Sequence, residues 1–557
     1  MKGCILVTRG RAVLGLVRPL PPIPALATLG ALGALLLLAL GLLSVPARAG
    51  SPPAARVSLL PFSEEGEECT IAVASGLATA DGRPILWKNR DTGYQDNEAV
   101  YFDDGLYRYV TLVNAGQTDE AWIGVNERGF AIANALSHNL PDSLYIGITN
   151  GELMKRALQI CGTVEDFEGY LKTTNKLGRQ NPANFAVLDA AGGAAMFEAG
   201  NRHYLRYDAA VAPRGVLVRT NFSFWADTTG YETWRFRRCS QLVGQAIQMH
   251  RLMVRTFLQE IARDIRPADL DPYPLPFEGT PPEDPKAHGY VCTANTINRR
   301  NTVAGGAVLG VRAGEDPMLS AFFAALGQPV STIPLPVWVA AGATPPEMDG
   351  ALTSPVCDEA KERMERIYDY LPNFTLLNTY ELRSPSRGCY LAQAERVERW
   401  IFDQADLELN RWRREGATPE EMRQAEQWIA QRAFRAWQKG EPLPGEVRLD
   451  LYAYASPNPS RGATILRIES ERALPAGLAL ELLDVQGRRV VRLPAGPETA
   501  DHSPGGQAWP ANARSVLWDG RDASGRRVSA GIYFYRPVLA NGEASASAPA
   551  GSVVLVP

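Results

Sequence analysis

The hydrophobic pattern of the chain changes twice along its 557 residues, and each change begins a segment with a different fold class. Between residues 69 and 345, short β-rich runs such as Thr70–Ala74 alternate with turns. Two stretches, residues 151–171 and 231–265, interrupt these runs with apolar residues at three-to-four spacing and predict helices. Strands and helices together predict an α+β domain over residues 69–350.

The second and third segments are helical and all-β, respectively. Residues 351–440 carry amphipathic helical patterns, and we expect them to pack on the first domain as an extension. Within them, Thr418 followed by Pro419 predicts an N-cap and the first turn of a helix. Proline and glycine mark a linker at residues 441–455. Alternating runs joined by glycine-bearing turns over residues 456–557 predict a separate immunoglobulin-like β-sandwich.

The amino-terminal pattern is typical of an export signal. Basic residues precede an uncharged apolar run at 25–43, and Ala47 and Ala49 follow it at the spacing that suits signal peptidase. We expect a signal peptide over residues 1–49, although a retained membrane anchor is the alternative because the run is about long enough to span. Residues 50–68, proline-rich and then acidic, read as a pro-segment. The protein is therefore expected outside the cell or at its surface, with the periplasm as an alternative.

Composition excludes several functional classes. The formal charge of -4 and the pI near 5.9 give no basic footprint for nucleic acid, and the mean hydropathy of -0.16 excludes a polytopic membrane protein. The five histidines share no spacing, so no metal site is predicted. An exported chain can form disulfides, and a bridge between Cys357 and Cys389 is one pairing the sequence allows, although connectivity cannot be deduced.

One cysteine stands in a context that suggests chemistry. A cysteine at the start of a strand is usually a small buried hydrophobe. Cys69, however, directly follows the expected pro-segment and begins the first folded strand. A polar cluster, Lys88 to Asp91, follows the second strand. In a hairpin, that spacing returns the cluster to the vicinity of Cys69.

Several segments, in this order, carry a resemblance to a known family. They are Cys69-Thr70, Trp87-Lys88-Asn89-Arg90-Asp91-Thr92-Gly93, Gly124 through Asn134, Val218-Arg219-Thr220-Asn221 with Trp234-Arg235-Phe236, and Asn301-Thr302-Val303 through Pro317. Over about 250 residues the chain resembles the linear amide group of N-terminal-nucleophile (Ntn) hydrolases. That group includes choloylglycine hydrolases, penicillin V acylases, acid ceramidase and the isopenicillin N (acyl-CoA:6-aminopenicillanate) acyltransferases. The resemblance implies a four-layer αββα catalytic domain and no cofactor.

The resemblance also implies a nucleophile and the groups that act on it. Cys69 would be the nucleophile, and its α-amine, with an ordinary pKa of about 7.7 to 8.0, would be the general base. Asp91 matches the aspartate that orients this amine. Lys88 stands where the bile-salt and ceramide branches usually have arginine. Either Lys88 or the neighbouring Arg90 could stabilise the thiolate by its positive charge, and alignment favours Lys88.

Three further residues complete the expected site. Asn221 matches the asparagine that donates a hydrogen bond to the developing oxyanion, worth roughly 3 to 4 kcal/mol in such sites. Asn134 is the second expected donor, although the choloylglycine pattern would put that asparagine nearer Leu136. Arg235 matches an arginine that braces the site. Attack of the Cys69 thiol on the preceding carbonyl would release the pro-segment, but Glu68 leaves open whether this cleavage is autocatalytic or done by another protease.

The last hundred residues show a second resemblance. Ser456-Pro457-Asn458-Pro459, Trp518-Asp519-Gly520 and Ser529 through Tyr535 are similar in order and spacing to the FlgD-type immunoglobulin-like module and the type A sorting domain of the type IX secretion pathway. The secretion machinery would then be a partner. The chain ends Leu555-Val556-Pro557 without the basic residue common in sorting tails, so a plain accessory sandwich is the alternative.

Together these features predict an exported cysteine hydrolase that cleaves the C–N amide of an N-acylated small molecule through a thioester. Acyl transfer to an amine is the alternative within enzymes, and a catalytically inactive surface binding protein is the alternative outside them. The acyl chain, the leaving amine and the oligomeric state are not determined by the sequence.

Overall fold

A computed structural model describes residues 68–140, 146–229, 231, 233–268, 290–371, 374–383, 390–444, 451–470, 477–494, 513–539 and 551–556. All of them belong to one compact unit, Phe62–Pro557. The expected signal peptide and residues 50–67 of the expected pro-segment lie outside the described residues. No helix among the described residues has the length and apolar content needed to cross a membrane.

The first sixteen strands form two large antiparallel sheets and one small one. In chain order they are β1 (Thr70–Ala74), β2 (Ile85–Asp91), β3 (Asn97–Phe102), β4 (Tyr109–Asn114), β5 (Ile123–Asn126), β6 (Ala131–Leu136), β7 (Ala183–Leu188), β8 (Ala194–Ala199), β9 (Tyr204–Asp208), β10 (Val216–Arg219), β11 (Tyr290–Cys292), β12 (Thr302–Leu309), β13 (Ala321–Leu326), β14 (Pro334–Val337), β15 (Tyr368–Leu371) and β16 (Phe374–Asn378). One large sheet has the order β10-β1-β2-β12-β13-β14 and the other runs from β3 to β9 in sequence.

The helices complete this part of the chain. They are α1 (Asn150–Ile160), α2 (Val164–Leu177), α3 (Trp234–Gln248), α4 (Val254–Thr256), which continues into a π-helical turn at Phe257–Ile261, α5 (Pro355–Ile367), α6 (Thr379–Arg383), α7 (Tyr390–Glu415) and α8 (Pro419–Lys439). The described chain is therefore α+β with antiparallel sheets, as the sequence predicted.

The two large sheets face each other across an apolar core. Alternate residues of one strand point to opposite faces of a sheet, and β6 shows the result. Ala131, Ala133 and Ala135 pack in the core shared with β1 and β2, whereas Ile132 packs on the other face against α1 and α2. The opposite face of the six-stranded sheet packs against helical segments, because Trp87 of β2 stacks on Phe257 of the π-helical turn and Phe323 of β13 contacts Phe402 of α7. The order of layers is thus helix, sheet, sheet, helix.

The predicted helix at residues 151–171 is two helices. α1 ends at Ile160, and α2 begins at Val164 after the N-cap Thr163, which forms a capping box in which its side chain and that of Asp166 each accept a backbone N–H. The predicted helix at 231–265 is likewise divided, because α3 ends at Gln248 and a new helical segment starts at Val254. In both cases the apolar spacing was correct and the interruption was missed.

The helical extension contains two elements the sequence pattern did not reveal. The strands β15 and β16 form a hairpin between α5 and α6, and β16 also pairs with β11. The predicted N-cap at Thr418 is confirmed, since its hydroxyl accepts from Glu421 N at 3.2 Å. Cys357 of α5 is a free thiol that donates to Gln95 O, and Cys389, the other half of the possible bridge, lies outside the described residues.

The carboxy-terminal strands form two further antiparallel sheets. They are β17 (Leu451–Ser456), β18 (Thr464–Ser470), β19 (Leu478–Leu483), β20 (Arg489–Pro494), β21 (Ala513–Trp518), β22 (Gly531–Leu539) and β23 (Gly551–Leu555). The sheet orders are β17-β18-β21 and β20-β19-β22-β23. Leu466, Leu480, Trp518 and Tyr535 contribute to one apolar core shared by both sheets.

Candidate active site

Cys69 directly precedes β1 and belongs to the apolar core between the two large sheets. It is 3% exposed, and its backbone N–H donates to Asn221 Oδ1 at 2.8 Å. The pairing of β1 with β2 continues one residue beyond Cys69, where Glu68 N–H donates to Asp91 O at 3.1 Å. The pairing of β1 with β10, which ends at Arg219, carries the chain to Asn221 two residues later. The hairpin predicted from sequence therefore forms, and a third strand adds Asn221.

Arg235 contacts the Cys69 backbone and the side chains of Asn221 and Asp91. It lies in the first turn of α3 and is 3% exposed. Its guanidinium donates to Cys69 O at 3.2 Å and to Asn221 Oδ1 at 3.1 Å, and its Nη1 lies 3.7 Å from Asp91 Oδ2. One buried cation thus contacts three of the other predicted site residues.

Asp91 is fully buried at the end of β2. Thr302 of the neighbouring strand β12 donates its hydroxyl to Asp91 Oδ1 at 2.7 Å. The other oxygen, Oδ2, has no hydrogen-bond partner in the described chain. Burial raises the pKa of Asp91 to about 7, although Arg235, the Thr302 hydrogen bond and Lys88 all act to lower it. This carboxyl therefore has a free acceptor oxygen in a position where a positive charge would be stabilised.

Lys88 and Asn134 form a second pair on the face of β2 that meets the seven-stranded sheet. Lys88 Nζ donates to Asn134 Oδ1 at 2.6 Å, and each residue is 1% exposed. This hydrogen bond engages the Oδ1 atom of the Asn134 amide. Strand alternation, extended one residue beyond β1, puts the Cys69 side chain on the same face as Ile71 and Lys88, and the same register puts Cys69 opposite Arg90, whose side chain also lies on that face.

Lys88 and Arg90 differ in their hydrogen-bond partners. Both side chains extend from the same face of β2 towards Trp122, with Lys88 Nζ 5.8 Å and the Arg90 guanidinium carbon 4.4 Å from the centroid of its ring. Arg90 donates to Asn97 Oδ1 at 2.8 Å, whereas Lys88 donates to Asn134. Lys88 is thus hydrogen-bonded to another predicted site residue.

Asn221 is arranged differently from the predicted oxyanion donor. Its Oδ1 accepts from the Cys69 and Arg235 nitrogens, and its Nδ2 donates to Leu136 O at 3.1 Å. While the Glu68–Cys69 bond is intact, the Asn221 amide therefore accepts a hydrogen bond from the Cys69 backbone nitrogen. Donation to an oxyanion would require the Nδ2 contact with Leu136 to be given up.

Three residues of the site were not predicted as site residues. Thr302 orients Asp91, and the segment that contains it was part of the family resemblance. The Glu68 carboxylate pairs with Arg235, at 3.0 Å from Nη2, and with Arg299. Glu68 was considered only as the residue before the scissile bond, and no sequence signal singled out Arg299.

Among the described residues, no three His, Cys, Asp or Glu side chains are grouped as metal ligands would be. The site consists of one thiol, the two carboxyls of Asp91 and Glu68, the two amides of Asn134 and Asn221, and several cations, a set suited to nucleophilic acyl chemistry.

Comparisons with known proteins do not establish a family for this chain. No family model and no curated protein matches the chain. Among solved structures, it is similar to penicillin V acylase from Agrobacterium tumefaciens, with 14% sequence identity over 49% of this chain and 85% of that chain. The TM-score of 0.28 is too low to establish a common fold.

Proposed function

We propose that this chain is an exported cysteine Ntn hydrolase that cleaves a linear, non-peptide amide of an N-acylated small molecule through a thioester on Cys69. The observation that carries the proposal is the environment of the Cys69 backbone nitrogen. This buried nitrogen is held by Asn221, and Arg235 links the same residue to Asp91. Asp91 Oδ2, which lacks a hydrogen bond, is suited to accept one from an ammonium group.

Maturation would create that amine. The Cys69 sulfur attacks the Glu68 carbonyl carbon, and the C–N bond to Cys69 breaks as the C–S bond forms. The Cys69 nitrogen takes up the thiol proton and becomes an amine. Water then hydrolyses the thioester, which leaves a carboxylate on Glu68 and restores the thiol. One water molecule is consumed for each chain cleaved.

Turnover would repeat this chemistry on a substrate. The Cys69 amine takes the thiol proton, and the thiolate attacks the substrate carbonyl. Asn134 Nδ2 would donate to the oxyanion, while Lys88, which donates to Asn134 Oδ1, would stabilise negative charge on the same face of β2. The substrate amine leaves with the proton held by the Cys69 ammonium. Water, deprotonated by the same amine, hydrolyses the thioester and releases the acid.

The remaining parts of the chain have proposed roles that follow from the same resemblance. Residues 69–350 would form an αββα Ntn catalytic domain, which agrees with the order of layers, and residues 351–440 a helical extension. Residues 456–557 would form a FlgD-like immunoglobulin fold that the secretion machinery recognises. The signal peptide at residues 1–49 would direct export.

The test is the intact mass and amino-terminal sequence of the secreted protein, compared with a Cys69→Ala variant. We expect the wild-type chain to start at Cys69 and the variant to retain residues 50–68. Cys161→Ala is the matched control, because Cys161 is a buried free thiol in the outer helical layer. Mature protein is then screened for release of amine from N-acyl amides. Two chains that both begin near Gly50 would leave Cys69 without a free amine and would contradict the proposal.

A further inference from the structure

The site already contains a bound carboxylate, which belongs to the chain itself. The Glu68 Oε2 atom lies 3.0 Å from Arg235 Nη2 and also pairs with Arg299 Nη1. The Glu68 side chain is 36% exposed, so this position is open to solvent. Two guanidinium groups therefore meet one carboxylate directly beside the bond that maturation would break.

Both arginines are held in place by other parts of the site. Arg235 is fixed by its contacts with Cys69 O and Asn221 Oδ1. The backbone of Arg299 is fixed because its N–H donates at 2.8 Å to the hydroxyl of Thr302, the residue that also orients Asp91. The side chains of Arg235 and Arg299 are 4% and 10% exposed. An anion at this position is thus bound by preorganised groups that do not depend on Glu68 for their backbone positions.

The covalent chemistry indicates which part of a substrate would take this position. In maturation the Cys69 sulfur bonds to the carbonyl carbon of Glu68, and in turnover it would bond to the carbonyl carbon of the substrate. The two acyl groups are therefore attached to the same atom. The Glu68 acyl group carries its side-chain carboxylate on the same carbon skeleton as a glutaryl group.

We propose that, once Glu68 is released, Arg235 and Arg299 bind the free carboxylate of a substrate whose acyl group is a glutaryl-type dicarboxylic half-amide. This inference rests on the proposed hydrolase function and specifies its substrate class. The thiol attacks the amide carbonyl, the C–N bond breaks, and the amine leaves with the thiol proton. Water then cleaves the glutaryl thioester to give the dicarboxylate and the free thiol.

The test uses secreted protein whose mass shows that it starts at Cys69. Hydrolysis of glutaryl p-nitroanilide is compared with that of pentanoyl p-nitroanilide, which has the same carbon chain without the carboxylate. N-pentanoyl-5-amino-2-nitrobenzoate puts the carboxylate on the leaving amine instead. We expect kcat/KM to be at least about tenfold higher for the glutaryl compound than for either pentanoyl compound, the size expected for hydrogen bonds to a charged group. A preference for the aminobenzoate compound, or equal rates for all three, would overturn the assignment to the acyl group.

Arg299→Gln should lower kcat/KM for the glutaryl compound by a larger factor than for the pentanoyl compound and so remove this preference, whereas Arg299→Lys should keep part of it because the charge remains. Arg300→Gln is the matched control, since the neighbouring Arg300 lies over the Tyr368 ring instead of contacting Glu68. An Arg299→Gln protein that loses activity on both anilides equally would show a structural role and would contradict the inference.

A second measurement separates failure of the inference from failure of the proposed function. Alkylation of the Cys69 thiol by iodoacetamide is followed with glutarate or pentanoate present. Protection by glutarate alone, in protein that hydrolyses no anilide, supports the carboxylate site and contradicts the hydrolase. Hydrolysis without a glutaryl preference and without protection by glutarate supports the hydrolase and contradicts the carboxylate site. A chain that never loses Glu68 overturns both, because the carboxylate position then stays filled.

Discussion

The sheets around Cys69 and the carboxy-terminal sheets are both antiparallel and both enclose apolar cores, but they treat charge differently. Around Cys69, Lys88, Arg90, Asp91 and Arg235 are each at most 3% exposed. In the carboxy-terminal core, Leu466, Leu480, Trp518 and other apolar side chains fill the space, and ion pairs such as Arg526 with Asp522 lie at exposed turns. Burial of an ionised group is unfavourable unless the group is paired, so the first region keeps an arrangement that does not maximise stability.

The difference separates groups positioned for chemistry from groups positioned for solubility. A buried acceptor without a hydrogen bond, such as Asp91 Oδ2, lowers stability, and an ammonium group formed at Cys69 would complete it. The exposed pairs of the carboxy-terminal sheets are screened by water and contribute little either way. The predictions below test whether this contrast holds.

The largest effect is expected from two arginines in one helix. Arg235→Met should slow cleavage of the Glu68–Cys69 bond at least about hundredfold, because charge-assisted contacts to Cys69, Asn221 and Asp91 are lost together. Arg238, one turn further along α3, pairs with Asp264 at 2.7 Å and is equally buried. Arg238→Met should lower the free energy of unfolding by about 3–5 kcal/mol, since Asp264 is left buried and unpaired, without changing cleavage in the folded fraction. Mass spectrometry of secreted protein over time, combined with denaturant unfolding, measures both. Equal loss of cleavage in the two variants would mean that buried charge in α3 is only structural.

The next effect concerns the two cations of β2. Lys88→Met should slow alkylation of Cys69 by iodoacetamide at neutral pH about tenfold, because a positive charge that stabilises the thiolate is removed and Asn134 loses its partner. Arg90→Met removes a charge from the same face of the same strand but leaves the Lys88–Asn134 hydrogen bond intact. Its alkylation rate should change less. The reverse ranking would identify Arg90 as the cation that acts on the thiol.

These two predictions also show how far sequence reasoning reached. The hairpin of β1 and β2 is local, so the nearness of Cys69 to the polar cluster at residues 88–91 followed from strand length alone. Asn221 and Arg235 are brought in by the pairing of β10 with β1, in which Ile71 lies opposite Arg219. No local pattern specifies a partner so far along the chain, and only the family resemblance indicated these residues.

Other features also depend on contacts between distant parts of the chain, and no local sequence pattern predicts them. Arg299 reaches Glu68 because β12 pairs with β2, a register that depends on the whole sheet. The hairpin of β15 and β16 consists of two short runs within a helical segment, where the helical period on either side dominated the pattern. The arrangement of the Asn221 amide depends on the uncleaved bond at Cys69, a state that sequence comparison with mature enzymes does not represent.

The third effect concerns the contact between helix α7 and the carboxy-terminal sheets. Arg536 of β22 donates to Glu395 of α7 at 2.8 Å and contacts Glu481 of β19. Burial raises the pKa of Glu395, but Arg536 and Arg383 outweigh that effect and hold the pKa below its ordinary value. Arg536→Ala should lower the free energy of unfolding by about 2 kcal/mol, because a largely buried carboxylate loses one of its cations.

The matched control for this contact is Arg526→Ala, which removes the exposed pair with Asp522 and should change the unfolding free energy by less than about 0.5 kcal/mol. Both variants should mature and hydrolyse amides at the wild-type rate. Thermal unfolding of the two variants, with cleavage followed in parallel, measures these effects. A loss of cleavage in Arg536→Ala would mean that the carboxy-terminal sheets act on the site.

The smallest effect is a difference in pH dependence between the two regions. The folded pKa of Asp91, about 7, is raised above its ordinary value of 3.8 by burial, so its protonated form is favoured in the folded chain. Its favourable contribution is therefore fully present below about pH 4 and is lost as pH rises through about 7. In uncleaved Cys69→Ala protein, Asp91 alone should make the chain about 1 kcal/mol less stable at pH 8 than at pH 6.

Asp91→Asn in the same background should remove that part of the difference. Comparison of the two proteins is needed because the buried carboxyl of Glu426, whose pKa burial raises well above its ordinary value, changes stability in the same direction. Asp522 behaves in the opposite way. The hydrogen bond from Ser524 is the main cause that lowers its pKa to about 2, so its contribution is present above about pH 4 and is lost only as pH falls through about 2. Asp522→Asn should therefore leave the change in stability between pH 6 and 8 untouched. If Asp91→Asn also left it untouched, the carboxyl beside Cys69 would be ionised across this range, and the charge around the nucleophile would already be balanced before the amine forms.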